Sequence, residues 1–171
     1  MVSFVEGRNC DGCTMCCKIM GVPEIDKAPW QWCKHCDASV GCRIYEQRPG
    51  ECRTFNCHYL LDPSLGKHWK PSRSKIVLTK DGKLRHYAIR VDSGRLHAWR
   101  KEPYYSEIKR WAEAAWRDKV ALIVWQGNVA IALLPQGEKN LGPVDESQLI
   151  VTQQKRGPSG LMLDAKLVPR D

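Results

Sequence analysis

The sequence predicts an α+β fold: β-hairpins packed on one main helix, preceded by a cysteine-rich lobe with little periodicity of its own. Three observations predict it. All nine cysteines lie at or before residue 57 of a 171-residue chain. Two pairs of apolar, β-branched segments flank short turns that contain glycine. Between those pairs lies one stretch with helical spacing. The chain divides accordingly into a lobe, residues 1–66, and an α+β body, residues 67–171.

Residues 1–62 read as loops and short helical turns, because APWQWCKHCDASVGC sustains neither a helical nor a strand period. RIYEQRPGECRTFNC predicts a short helix stopped at Arg48-Pro49-Gly50, after which the chain turns to present Cys52 and Cys57. LDPSLGKHWKPSRS reads as a polar connector. From Ser74 onward, SKIVLTK and KLRHYAIRV flank Asp81-Gly82, which predicts a two-residue hairpin turn. In that register Lys80 faces Lys83, Leu78 faces Arg85 and Ile76 faces Tyr87. Ile76, Leu78, Tyr87, Ile89 and Val91 then share a core-facing side.

A helix is expected from about Pro103 to Asp118, with Pro103 at the first helical position. Tyr104, Ile108, Trp111, Ala112 and Ala115 form its apolar stripe. A second hairpin follows: VALIVWQ, a turn at Gly127-Asn128, then VAIALLP. The tail adds a strand in QLIVTQQ and a further one in GLMLDAKLV, beyond a Gly-Pro turn. The longest strongly apolar run, VALIVW, is far too short to span a bilayer, so no membrane association is expected. MVSFVEGRNC has neither the basic region nor the apolar run of a signal peptide, so the expected compartment is the cytoplasm, with reduced thiols.

An odd number of cysteines, with Cys16 and Cys17 adjacent, argues against a disulfide framework. Inert buried cysteines would scatter through the apolar faces of the whole chain rather than crowd into its first third. Cys10, Cys13 and Cys16 follow C-x2-C-x2-C spacing, and Cys33-Lys34-His35-Cys36 is a CxxC of knuckle type. Thiols so spaced can close around one ion, which makes metal ions the expected partner and the lobe metal-nucleated.

CDGCTMCC followed by CDASVGCRIYEQRPGECRTFNC resembles the CxxCxxCC cysteine-cluster family, the YkgJ-type zinc- or iron-chelating domain. The match falls on Cys10, Cys13, Cys16, Cys17, Cys36, Cys42, Ile44-Tyr45-Glu46, Arg48-Pro49, Cys52-Arg53, Phe55 and Cys57, about the first third of the chain. The resemblance implies metal binding by Cys10, Cys13, Cys16, Cys17, Cys36, Cys42, Cys52 and Cys57, and says little about activity. Cys33 is outside the signature. Larger relatives, the flagellin lysine methylases, are enzymes, but this chain is much shorter and has nothing resembling a methyl-donor site.

The eight matched thiols divide most simply into two four-thiolate sites. Cys16 and Cys17, as sequence neighbours, are expected to face apart and serve different centres, or to leave one of them outside the ligand set. Two zinc ions are the expected cofactors, because interleaved closed tetrahedral sites explain the lobe's lack of patterning. An iron–sulfur cluster, in a redox carrier or enzyme component, is the alternative, since similar ligand sets take either. His35 and His58 adjoin cysteines and are read as neighbours of the ligands rather than ligands. Arg48 and Arg53 are candidates to donate to sulfurs or carbonyls around an anionic site, or to pair with Glu46 or Glu51.

The net charge of +8 is unevenly spread. Residues 67–101 carry eleven Lys and Arg against Asp81 and Asp92, interleaved with Trp69, Tyr87 and Trp99. Such a segment could bind nucleic acid by holding phosphates while bases stack, or contact an acidic protein; a solvated basic face is the simpler reading. No HExxH, P-loop, GxGxxG, paired-carboxylate spacing or Ser/His/Asp set can be read in the chain, which favours a binding protein over an enzyme.

Overall fold

The computed structural model describes residues 3–80, 86–158 and 160–170. It is an α+β fold, as the patterning predicts. Five α-helices, four of them short, and nine strands appear among these residues. The lobe contributes α1 (Met15–Ile19), the two-residue strands β1 (Cys36–Asp37) and β2 (Gly41–Cys42), α2 (Gly50–Thr54) and α3 (His58–Leu61). After α4 (Pro71–Ser74) come β3 (Ile76–Lys80), β4 (Tyr87–Val91), the long helix α5 (Tyr104–Arg117), β5 (Leu122–Gln126), β6 (Val129–Leu134), β7 (Gly137–Pro143), β8 (Gln148–Gly157) and β9 (Gly160–Pro169).

Strands β3 to β7 form one sheet in chain order, antiparallel throughout except for the parallel β4–β5 pair, whose crossover carries α5. Period-two alternation gives this sheet two apolar faces. Leu78, Ile89, Val91, Leu122, Val124, Ile131 and Leu133 pack with Ile108, Ala112 and Ala115 of α5 in the main core. Val77, Ala132 and Leu134 look the other way. Val77 is covered by Met15 and Ile19 of α1, whereas Ala132 and Leu134 are covered by Leu163 and Ala165 of the β8–β9 ribbon. The sheet is therefore the middle layer, with the cysteine lobe and the ribbon sharing its second face. No helix of the described residues is long and apolar enough to cross a membrane.

The helix expectation holds, with Pro103 standing one position earlier, as N-cap of a helix that starts at Tyr104. The Gly127-Asn128 hairpin is present: Gln126 faces Val129, and Gly127 takes the positive φ of 64° that the tight turn needs. Strands β8 and β9 realise both tail segments.

The first hairpin needs a correction. Ile76 faces Val91, Leu78 faces Ile89 and Lys80 faces Tyr87, a register four residues away from the one a turn at Asp81-Gly82 predicts. Cross-strand pairing of apolar residues overrides the local turn preference, since the predicted register would set Leu78 against Arg85. An even shift keeps every side chain on its predicted face, so Ile76, Leu78, Ile89 and Val91 are still buried. The Asp81-Gly82 turn itself, with Lys83 and Arg85, lies outside the described residues.

Arg48-Pro49-Gly50 ends a short helical segment, but only a 3-10 turn, Tyr45–Gln47, and Gly50 at once opens a further helix, α2, that the patterning does not predict. Pro49 is the N-cap of α2. The connector also holds more structure than its polarity suggests. Trp69 is fully buried in the main core, and Glu107 of α5 accepts from its Nε1 at 2.6 Å.

Candidate metal centre

The lobe is assembled from short segments that would bury little on their own. In α1, Met15 and Ile19 are one turn apart and turn together onto Val77. That contact leaves Cys16 and Cys17 on the remaining faces of the helix. Lys18, from the same turn, pairs with the largely buried Asp92 at 2.6 Å and ties the lobe to the end of β4. Ahead of α1, the Cys13 amide donates to the Cys10 carbonyl at 2.9 Å around Gly12, whose φ of 66° suits a residue without Cβ. Lys70 reaches back from the connector to the Asp11 carbonyl at 2.8 Å.

The Cys33–Cys36 knuckle closes through a Cys36 amide to Cys33 carbonyl bond of 3.0 Å. Cys36 then pairs with Cys42 across β1 and β2, and the loop between these strands is tied by Asp37, which accepts from Ser39 and Arg43. Those bonds, the Ser39 hydroxyl foremost, hold the Asp37 carboxyl well below its usual range. Cys52 is carried by α2, and Cys57 is the N-cap residue of α3.

These segments surround one cavity of about 710 Å³. Cys10, Cys13, Cys16, Cys17, Cys33, Cys42, Cys52 and Cys57 line it, with His35, Lys27, Arg48 and Lys70. Seven of the eight sequence-expected thiols thus line one cavity. Cys33, outside the signature, joins them, while Cys36 is not among the lining residues. His58 is turned away, its ring against Tyr87 at 5.5 Å. All nine cysteines are free thiols. Among the described residues, no three His, Cys, Asp or Glu side chains converge on one point closely enough to hold an ion as they stand. The donor set fits a thiophilic metal in chemistry and number; its spacing is that of a ring round a cavity rather than a closed tetrahedron.

The thiols affect one another. Burial pushes Cys57 up to about 12, and the nearby Cys10, Cys13 and Cys16 add to the rise. Burial also raises Cys52, with Cys16, Cys33 and Cys42 contributing, and raises Cys36, beside Cys33 and Cys42. Cys16 is raised furthest, first by its hydrogen bond with the Cys17 thiol and then by burial. Cys16 and Cys17 both line the same cavity. The thiols that raise one another form overlapping groups, Cys10, Cys13 and Cys16 around Cys57, and Cys16, Cys33 and Cys42 around Cys52. Ionising such thiols together is unfavourable unless a cation joins them.

Arg48 and Arg53 act on the backbone. Arg48 Nε donates to the Tyr45 carbonyl at 2.8 Å with its guanidinium over the Tyr45 ring, and Arg53 Nε donates to the Arg48 carbonyl at 2.7 Å. Among the described residues neither pairs with Glu46 or Glu51. The buried Lys27 has no warning in sequence, being one lysine in an unpatterned loop.

The basic segment is changed more. Trp69 and Trp99 are fully buried and Tyr87 is half-buried with its hydroxyl on Asp62, so these rings are core rather than stacking platforms. Arg100 is engaged by Glu138 through two bonds of 2.7 and 2.6 Å. Lys67, Arg73, Lys80, Arg95 and Lys101 remain exposed.

No family model, curated protein or solved structure matches the chain.

Proposed function

We propose that the N-terminal lobe is a thiolate metal centre and that the protein is a metal-binding protein of structural or regulatory kind rather than an enzyme. One observation carries this reading: cysteines from five separate segments, which share no strand or helix, line a single cavity. Nothing in apolar packing requires that convergence, and coordination supplies the folding free energy that unpatterned loops lack. Two zinc ions suit the eight thiols that line the cavity, four to each ion. The resemblance of the cysteine signature to the CxxCxxCC family points the same way. A reducing, cytoplasmic setting fits nine free thiols.

An iron–sulfur cluster is the second reading, and it draws on a different observation. The thiols ring a cavity of about 710 Å³ instead of closing on a point, which suits a polynuclear centre larger than one ion. Colour and elemental analysis of anaerobically purified protein separate the two. The exposed basic side chains of residues 67–101 support at most electrostatic contact with nucleic acid or an acidic protein, tested by salt-dependent binding.

A further inference from the structure

Lys27 is a charged side chain with almost no access to solvent, 8 % exposed. Its ammonium donates to the carbonyls of Lys18, at 3.2 Å, Ala28, at 3.1 Å, and Met20. Those three bonds use all of its protons and hold it in one place. No carboxylate pairs with it among the described residues, in contrast to Lys18 with Asp92 and Lys139 with Asp164. A buried cation without an anionic partner is costly, and carbonyl dipoles offset only part of the lost hydration. Lys27 nevertheless sits in the wall of the thiol cavity. Burial lowers the Lys27 pKa, and Cys33, Cys17, Cys16 and Cys52 act against that shift and favour the charged ammonium.

We infer that Lys27 is the fixed counter-charge of an anionic thiolate centre held in the cavity whose wall it shares. The inference rests on the metal-binding reading above. A divalent ion on four thiolates carries a net charge of about −2, and a buried cation beside it lowers the cost of that charge. The missing anionic partner of Lys27 is then the loaded centre itself. Lys27 is a positioning residue: it touches carbonyls, not the metal, and acts through the field at the sulfurs. It also selects against a neutral occupant, because an uncharged ligand would leave the ammonium uncompensated.

The test loads the full-length chain with zinc, and separately with cobalt, in wild type, Lys27→Gln and Lys27→Arg. Lys27→Gln keeps a hydrogen-bond donor for the carbonyls but removes the charge, and Lys27→Arg keeps the charge. Expected for Lys27→Gln is an unchanged cobalt–thiolate spectrum with about tenfold weaker zinc affinity, the scale of one partly screened charge, and metal release at higher pH than in wild type. Lys27→Arg should return both values toward wild type. Equal losses in the two variants, or no loss in either, would overturn the inference while leaving the metal reading intact. So would a Lys27→Gln chain that no longer folds, since the side chain would then serve the carbonyls alone. A wild-type chain that takes up neither zinc, cobalt nor iron would overturn the metal reading and this one with it.

Discussion

The Cys33 amide donates to the Cys17 carbonyl at 3.0 Å, which anchors the CxxC knuckle directly on the helix that carries the adjacent cysteine pair. The bond brings a thiol from outside the cysteine signature into the cavity wall, whereas Cys36, a signature residue, is not among the lining residues. The signature alone ranks these two the other way round.

Cys33→Ser should therefore lower the metal content, and by as much as Cys52→Ser does. Metal per chain, measured on the two variants beside wild type, checks this. Full stoichiometry in Cys33→Ser would return Cys33 to the role of a bystander.

The Lys18–Asp92 pair joins lobe to body, with both side chains largely buried. Asp92 also accepts from the Gly94 amide at 2.9 Å, so it is held in place without Lys18. Removing the lysine strands a carboxylate that cannot turn to water. Lys18→Met should cost about 3 kcal/mol, the lower end of what breaking a buried pair costs. Urea unfolding of the metal-loaded proteins reads this directly, and a change below about 0.5 kcal/mol would class the pair as an ordinary surface contact.

Asp164 accepts from Lys139 at 2.7 Å and Lys155 at 2.8 Å, and these bonds hold its carboxyl down to about 2. The folded value is below the ordinary 3.8, so the contribution is fully present above pH 3.8 and is lost as pH falls through about 2. Wild type should lose thermal stability across that window relative to Asp164→Asn, whose stability there should be flatter. Parallel melting curves for the two between pH 4.5 and pH 2 would remove Asp164 as the acid-sensitive clasp of the ribbon.

Trp69 tests whether the aromatic residues of the basic segment serve the core or a ligand. Trp69→Ala should destabilise the body by about 3–5 kcal/mol, the usual cost of emptying a buried aromatic site. If it left stability unchanged and weakened RNA or DNA binding instead, the ring would be a stacking platform after all.

The body is legible in sequence wherever one face of an element is buried. Ile76, Leu78, Ile89 and Val91 fall on one face at period two, as the sequence pattern predicts, and the α5 stripe follows the helical period. Register is not legible, because the Asp81-Gly82 turn preference is local while the Leu78–Ile89 pairing that decides it is not. Strand β7 has no apolar pattern: GEKNLGP is a largely polar edge, held by its pairing with β6 and by Lys139 reaching Asp164 and Ala165 of β9, with Leu141 alone packing on the second core cluster. The parallel β4–β5 pairing joins segments that α5 separates, and no short-range pattern records it. In the lobe the cysteine spacing alone points to the thiol cavity, since ligand geometry constrains spacing. Lys27 cannot be found that way, because its role depends on three carbonyls and four thiols brought together only by folding.

The most direct test measures metal on anaerobically purified full-length protein together with limited proteolysis before and after strong chelation. Two zinc ions per chain are expected, with residues 1–62 becoming protease-sensitive after chelation while residues 74–134 stay protected. Protein that carries neither zinc nor iron, and whose lobe resists protease regardless of chelator, would contradict a thiolate metal centre.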